Sequence, residues 1–221
     1  MPGFDRPQPA RQSGAVLLWS GFALILCGLA CFAIDRRAVH YFHAAVPRPF
    51  ERVLHSTTDW AKGALWLTAS IAALAGAWLF QAFRGPDALS SRLMLVSGAF
   101  LASLAVASIV LHSIKILLGR RRPRDELELN LYGFRPFTFD LRSDSFPSGH
   151  ALTIFCVAVV LAAAIPALAV LWFAIAVWLA LTRALLNSHF VSDVFVGAGI
   201  ALVTTREVLL NFFPSLALPW F

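Results

Sequence analysis

The chain has 221 residues, 59% hydrophobic and 14% charged, with a mean hydropathy of +0.74. A soluble domain carries about 25% charged and about 45–50% apolar residues, so this composition excludes a water-soluble globule, a disordered chain, a coiled coil and a disulfide scaffold. The net charge is nevertheless +6, from 18 Lys+Arg against 12 Asp+Glu, so where those cations sit bears directly on function.

The predicted class is all-α: a polytopic membrane protein with six transmembrane helices. Residues 1–11, with Pro2, Pro7 and Pro9, read as a flexible tail, and residues 12–221 as a single membrane domain. About 20 apolar residues cross a bilayer core, which places spans at about 12–34, 63–83 and 93–114, each between charged residues. The first is too long for a signal-peptide core and reads as retained. Between the first two spans, segment 35–62 mixes Tyr41, Phe42, Phe50 and Trp60 with basic residues, the pattern of short helices lying along the interface. The uncharged run 145–182 is too long for one crossing, and Pro166 divides it into spans at 147–165 and 167–183 joined by a tight turn. A sixth span at about 190–208 leaves Arg206 and Glu207 at its far edge, where they can snorkel. Cys27, Cys31 and Cys156 fall inside spans and read as packing residues.

Six spans put the loops after helices 1, 3 and 5 on one membrane face. That face collects every Lys and Arg except Arg6, Arg11, Arg84, Arg92 and Arg206. The positive-inside rule would place it in the cytoplasm.

Three patterns lie on this face. Lys115-Ile-Leu-Leu-Gly-Arg120-Arg121-Arg122-Pro123 ends helix 3. By itself it reads as an anchor for anionic headgroups; its alternative is an oxyanion clamp, since arginine presents a planar fork that matches phosphate oxygens. Phe146-Pro147-Ser148-Gly149-His150-Ala151 opens helix 4. Ser148 is a good N-cap, and the same geometry offers free N–H groups and a favourable dipole to a phosphate, with His150 beside it as a proton donor. The third pattern, from Thr182-Arg183 to His189 and Asp193, puts His189 and Asp193 four residues apart, on one helical face. A carboxylate that accepts one imidazole N–H leaves the other nitrogen as acceptor or nucleophile. Two histidines and an aspartate also compose a metal set, but the neighbouring lysine and arginines would repel a divalent cation and suit an anion. No cofactor and no metal is therefore expected. With the cations gathered on one membrane face, the partners expected are the bilayer and an anionic ligand, not nucleic acid.

In this order, Lys-x6-Arg-Pro, Pro-Ser-Gly-His and Arg-x5-His-x3-Asp resemble the signature of the type 2 phosphatidic acid phosphatase superfamily, over Lys115–Asp193. One position departs from it: Thr182 stands where the family usually has serine. The resemblance implies that Lys115, Arg122 and Arg183 bind phosphoryl oxygens, and that Ser148 and the Gly149 backbone add donors. It implies His189 as the nucleophile that forms a phosphohistidine, Asp193 as its orienting partner and His150 as the acid that protonates the leaving oxygen. The implied activity is metal-independent hydrolysis of a phosphorylated membrane lipid, such as phosphatidylglycerophosphate, phosphatidic acid, undecaprenyl diphosphate or lipid A 1-phosphate. The implied location is a bacterial inner membrane with the site facing the periplasm, against the charge count. The signature gives no role to Arg120, Arg121 or Arg124.

The loop over residues 124–146 carries Phe134, Arg135, Phe137, Phe139 and Arg142, a mixture that suits either an interfacial lid or an aromatic belt. A phosphotransferase using the same intermediate is an alternative activity. An organic-anion transporter would need ionisable residues near span centres, and the spans carry almost none apart from His112, near the end of helix 3. A non-catalytic lipid-phosphate binder should have lost a chemical residue, whereas His150, His189 and Asp193 are all present.

Overall fold

The computed structural model describes residues 15–137 and 144–221; the predicted tail, and Phe139 and Arg142 of the loop, lie outside them. The described residues form nine α-helices and short 3-10 turns: α1 Val16–Cys31, α2 Asp35–Ala45, α3 Arg48–Thr58, α4 Gly63–Arg84, α5 Ala88–Leu118, α6 Pro123–Leu129, α7 Gly149–Ala164, α8 Ala169–Leu185 and α9 Val191–Phe212. Helices α1, α4, α5, α7, α8 and α9 fall on the six predicted stretches, with different ends. The interfacial segment resolves into α2 and α3, and Pro166 opens the 3-10 turn Pro166–Leu168 between α7 and α8.

Length and apolarity alone single out fewer crossings than the six expected. Arg48–Arg84, Ala88–Leu118 and Pro166–Leu185 pass that test, and the pair Val16–Cys31 and Asp35–Ala45, bent by 84°, makes a fourth if it is one span. Helix α7 is apolar but has only 16 residues, and α9 carries Asp193, Arg206 and Glu207. These two helices are also the most enclosed by protein, so their sequences answer to neighbouring helices more than to lipid.

Local chemistry sets the ends. Helix α5 runs well beyond the predicted 93–114 because charged residues do not stop a helix, whereas caps do. At its start, Asp87 accepts from the Ser90 N–H at 2.8 Å, and Ser90 closes the reciprocal bond of a capping box. At its end, Gly119 takes φ 53° and its N–H bonds the Lys115 carbonyl at 2.8 Å. Arg92, inside α5, donates to the last turn of α7 at the Ala164 carbonyl.

Helices α7 and α9 pack against each other, against α5 on one side, and against α8 and α1 respectively. The α1–α9 contact depends on small residues: a Cβ on Gly199 would lie 2.6 Å from the Gly21 carbonyl oxygen, and one on Gly28 2.6 Å from Val196. Helix α4 fully buries only Ala77 and leaves Leu65, Leu67, Ile71, Trp78, Leu79 and Phe80 exposed, as a lipid-facing helix does. The three cysteines are free, and of them only Cys156 is buried as a packing residue; Cys27 is exposed. Arg206 corrects one expectation. It does not snorkel: it is buried, donates from Nε to the Phe221 backbone oxygen at 2.7 Å and pairs with Glu207.

Candidate active site

The ends of α5, α7 and α8, with the turn after α8, surround one cavity of about 280 Å³. Lys115, Arg122, Gly149, His150, Arg183 and His189 line it, drawn from all three sequence patterns. Gly63, Ser108, Leu111, His112, Leu152 and Thr153 complete the wall.

Each functional side chain is placed by its local fold. Lys115 is buried in the last turn of α5 and donates to the Asp144 carbonyl at 2.8 Å. Arg122 is the N-cap residue of α6, extended at φ −84° and ψ 157°, with Pro123 fixing the helix start behind it. Burial holds the Arg122 guanidinium below its ordinary value, against the attraction of Asp193, so its charge is poised to gain from an anion. Gly149 and His150 form the first turn of α7, where backbone N–H groups lack helical partners. Ser148 stands behind them. Its hydroxyl is fully buried and accepts from the Ala151 N–H at 3.4 Å, so here it caps α7 while the Gly149 backbone lines the cavity.

The chain turns back after α8 because the Arg183 carbonyl accepts from the Ser188 and His189 N–H groups, at 3.0 and 3.1 Å. That turn sets His189 next to the first turn of α9. Asp193, at the third position of α9, accepts from the Phe190 N–H at 2.8 Å and is fully buried. Its Oδ2 lies 3.5 Å from His189 Nδ1. The nearer acceptor is the Ser145 carbonyl, 2.8 Å from the same nitrogen. Nδ1 therefore carries the ring proton, and Nε2 keeps its lone pair. Burial lowers His189 to about 4, with the Asp193 carboxylate opposing that shift, so the ring is neutral at physiological pH.

Several contributing residues carry no signal in the sequence patterns. The Ser145 hydroxyl donates to Asp193 Oδ2. Thr58, at the end of α3, accepts from Arg183 Nη1 at 3.0 Å and sits 2.9 Å from the Thr182 hydroxyl. The departure at Thr182 thus keeps the hydroxyl in use. Arg120 is fully buried and bonds Asp193 Oδ1 at 2.5 Å and Asp35 Oδ2 at 2.8 Å. Burial opposes the Arg120 charge, but Asp193 and Asp35 outweigh it and raise the guanidinium above its ordinary value. Nothing in the residues themselves distinguishes one of three consecutive arginines from another, and it is the resemblance to the family signature that selects Arg122.

Fold and site together define a multi-pass, all-helical membrane protein with a histidine-containing, cation-walled pocket at the ends of its helices. The chain belongs to the PAP2 superfamily, whose model matches residues 97–215, more than half of its length. It is similar to the lipid A 1-phosphatases of Rhizobium etli and Rhizobium johnstonii, with 34% identity to each over 101 residues. Those alignments take in 45% of this chain and 44% and 41% of the two relatives, so the matched stretch spans less than half of their length. The fold resembles the crystal structure of a transmembrane PAP2 type phosphatidylglycerolphosphate phosphatase from Bacillus subtilis. The TM-score is 0.56 and the identity 20%, over 86% of this chain and 94% of that one.

Proposed function

We propose that this protein is a membrane lipid phosphatase that transfers a phosphoryl group from a lipid headgroup to His189 and then to water. The observation that carries the reading is the commitment of His189 Nδ1 to Ser145 and Asp193, with the ring set in a cavity walled by Lys115, Arg122 and Arg183. Nε2 would attack phosphorus while the bond to the lipid oxygen breaks, and His150 would give that oxygen its proton. Water would then attack the phosphohistidine, His150 taking a proton back, to release phosphate and restore neutral His189. The three cations and the α7 N-terminus would stabilise charge on the equatorial oxygens, the main electrostatic demand of phosphoryl transfer. Cations at those positions disfavour a divalent metal in the same pocket, and metal independence is part of the proposal.

The named relatives put lipid A 1-phosphate first among substrates to test, with phosphatidylglycerophosphate, phosphatidic acid and undecaprenyl diphosphate beside it. The site is expected to face the periplasm of a bacterial inner membrane. The test is phosphate release by purified protein in detergent, with and without chelator, beside His189→Ala. Release that survives chelation and disappears in His189→Ala is expected. Activity retained in the variant, or lost with chelator alone, overturns the reading. Radiolabel from a phosphate-labelled lipid should appear on the wild-type chain in an acid-labile, base-stable form. Transfer of that label to a second lipid in place of water would identify a phosphotransferase.

A further inference from the structure

The largest fully buried charged side chain among the described residues is one to which the signature gives no role. Arg120 has no exposed surface, yet it stands only two residues from Arg122 of the cavity wall. The backbone around it is pinned: Arg121 N–H bonds the Gly133 carbonyl at 3.0 Å, and the Arg120 carbonyl accepts from Ser145 N–H at 2.8 Å. Its guanidinium lies between the Phe32 and Phe190 rings, 4.4 and 4.1 Å from their centroids. From there it donates to Asp193 Oδ1 at 2.5 Å, Ser192 Oγ at 2.6 Å, Asp35 Oδ2 at 2.8 Å and the Tyr132 hydroxyl at 2.8 Å.

Asp35 is the second half of the arrangement. It is the first residue of α2, at the 84° break after α1, and it is fully buried. Besides Arg120 it accepts from the Ser192 N–H at 3.1 Å and from the Ser192 hydroxyl. A carboxylate and a guanidinium withdrawn from water persist only when geometry and hydrogen bonding compensate for the lost hydration. Both do so here, along a line of alternating charge that runs from Asp35 through Arg120 to Asp193 and ends on the His189 ring. The Asp193 carboxylate is held from both sides, Oδ1 by Arg120 and Oδ2 by Ser145 and the Phe190 N–H.

We infer that Arg120 and Asp35 are positioning residues for the proposed phosphoryl transfer: Asp35 fixes Arg120, and Arg120 fixes and balances the Asp193 carboxylate that orients His189. The inference rests on the phosphatase reading, and it explains two features that the reading leaves idle. One is the buried arginine beside the phosphate-binding one. The other is the sharp break between α1 and α2, which brings an aspartate 85 residues earlier in the chain onto it. Neither residue lines the cavity, so neither is expected to touch substrate.

The link makes a prediction that packing alone does not. His189 interacts electrostatically with Asp193 from α9, Arg183 from α8, Lys115 from α5 and His150 from α7. Asp193 in turn interacts with Arg120, Lys115 and Arg122. Removing Arg120 leaves Asp193 less neutralised, which favours imidazolium; removing the Asp35 charge leaves Arg120 stronger against Asp193, which disfavours it.

The experiment is a nitrogen-detected NMR titration of the His189 ring in detergent micelles, paired with kcat and KM on short-chain phosphatidic acid. The proteins are wild type, Arg120→Met, Arg120→Lys and Asp35→Asn. In Arg120→Met the ring midpoint should rise by about one pH unit, and kcat should fall about 100-fold while KM stays within about threefold. Arg120→Lys, which keeps the charge but not the fork, should restore the midpoint and only part of kcat. The nearly isosteric Asp35→Asn should move the midpoint the opposite way, and it carries the test by itself should Arg120→Met not fold. A wild type that releases phosphate from none of the four lipids named above sinks the phosphatase reading. An active wild type whose His189 midpoint is unmoved in the folded variants sinks this inference alone.

Discussion

The Ser145 carbonyl oxygen lies 2.8 Å from His189 Nδ1, closer than any oxygen of Asp193. A carbonyl only accepts, so this contact fixes the tautomer, with the Asp193 carboxylate 3.5 Å away on the same nitrogen. Asp193 is left to hold the Ser145 hydroxyl and the start of α9, and to supply negative charge behind the ring. The acceptor for the His189 ring proton is thus a loop carbonyl, from the residue before the Phe146-Pro147 pair.

A pH dependence follows from the burial of that ring. His189 ionises at about 4 in the folded protein against 6.5 for a free histidine. The lone pair that the proposed attack requires is present at neutral pH and is lost only as pH falls through about 4, so the His189 limb of kcat/KM should lie near there. Stability carries the same sign. Between 6.5 and about 4 the unfolded chain takes up a proton that the folded chain refuses, so the contribution of this group falls as pH falls across that interval. Thermal unfolding in detergent over that range, with His189→Gln beside wild type, measures it. The variant should show the shallower slope, and equal slopes would count against a neutral buried ring.

Thr58 and Arg183 yield a second expectation. The Thr58 hydroxyl accepts from Arg183 Nη1 at 3.0 Å and neighbours Thr182 at 2.9 Å, so it steadies the cation on the far side of the cavity. Hydrogen bonds to charged groups contribute about 1.5–3 kcal/mol, and losing this one in Thr58→Val should lower kcat/KM about tenfold or more. Thr182→Ser retains the hydroxyl and should stay within about twofold of wild type. Steady-state kinetics on one lipid phosphate decide it, and a large loss in Thr182→Ser with none in Thr58→Val would reverse the assignment.

The contrast between legible and hidden residues has a physical cause. Lys115, Arg122, His150, Arg183 and His189 could be found because their spacings at helix ends translate directly into a shared cavity wall. Pro166 could be found because a proline breaks the hydrogen-bond ladder wherever it falls in a long apolar run. Asp35 and Arg120 pair across 85 residues, and Thr58 meets Arg183 across 125; contacts at such separations leave no periodicity to read. The extent of α5 was hidden for a different reason. Its ends are set by the Asp87–Ser90 capping box and by Gly119, while Arg92 and Lys115, which looked like boundaries, lie inside the helix.

Close packing at α9 predicts opposite outcomes for two glycines. A Cβ on Gly197 would lie 2.5 Å from the Ser148 carbonyl oxygen, so Gly197→Ala must push the start of α7 away from α9. Overpacking of this kind costs about 1–3 kcal/mol, and the displaced N-terminus is the one that offers N–H groups to the cavity. Lower thermal stability and an activity loss of about tenfold or more are expected, since misplacement by about 1 Å near a reacting centre is costly. Gly76, in the middle of α4, has nothing within 4 Å of the corresponding position. Gly76→Ala should leave activity unchanged and raise stability by about 0.4–1 kcal/mol. Melting curves and phosphate release on both variants test the packing; a benign Gly197→Ala would show that α7 and α9 have slack between them.

The membrane side of the site can be predicted against the charge count. The positive-inside rule counts cations free to interact with the membrane surface, and many on this face are already committed. Arg120 is buried between Asp35 and Asp193, Arg36 pairs with the buried Glu126 at 2.8 Å, and Lys62 pairs with Asp59 at 2.9 Å. Lys115, Arg122 and Arg183 line the cavity. Arg206 and Arg92 on the other face are likewise bonded within the protein, so the count by itself does not decide the side, and the expectation that the site faces the periplasm rests on the family resemblance. The check uses a chain in which Cys27, Cys31 and Cys156 are replaced by alanine, with one new cysteine at a time. Glu128 in α6 and Ala167 in the turn between α7 and α8 are both exposed and lie on opposite expected faces. In intact cells a membrane-impermeant maleimide should label Glu128→Cys directly and Ala167→Cys only after permeabilisation. The reverse pattern would put the site in the cytoplasm, and labelling of both from outside would remove the crossings formed by α7 and α8.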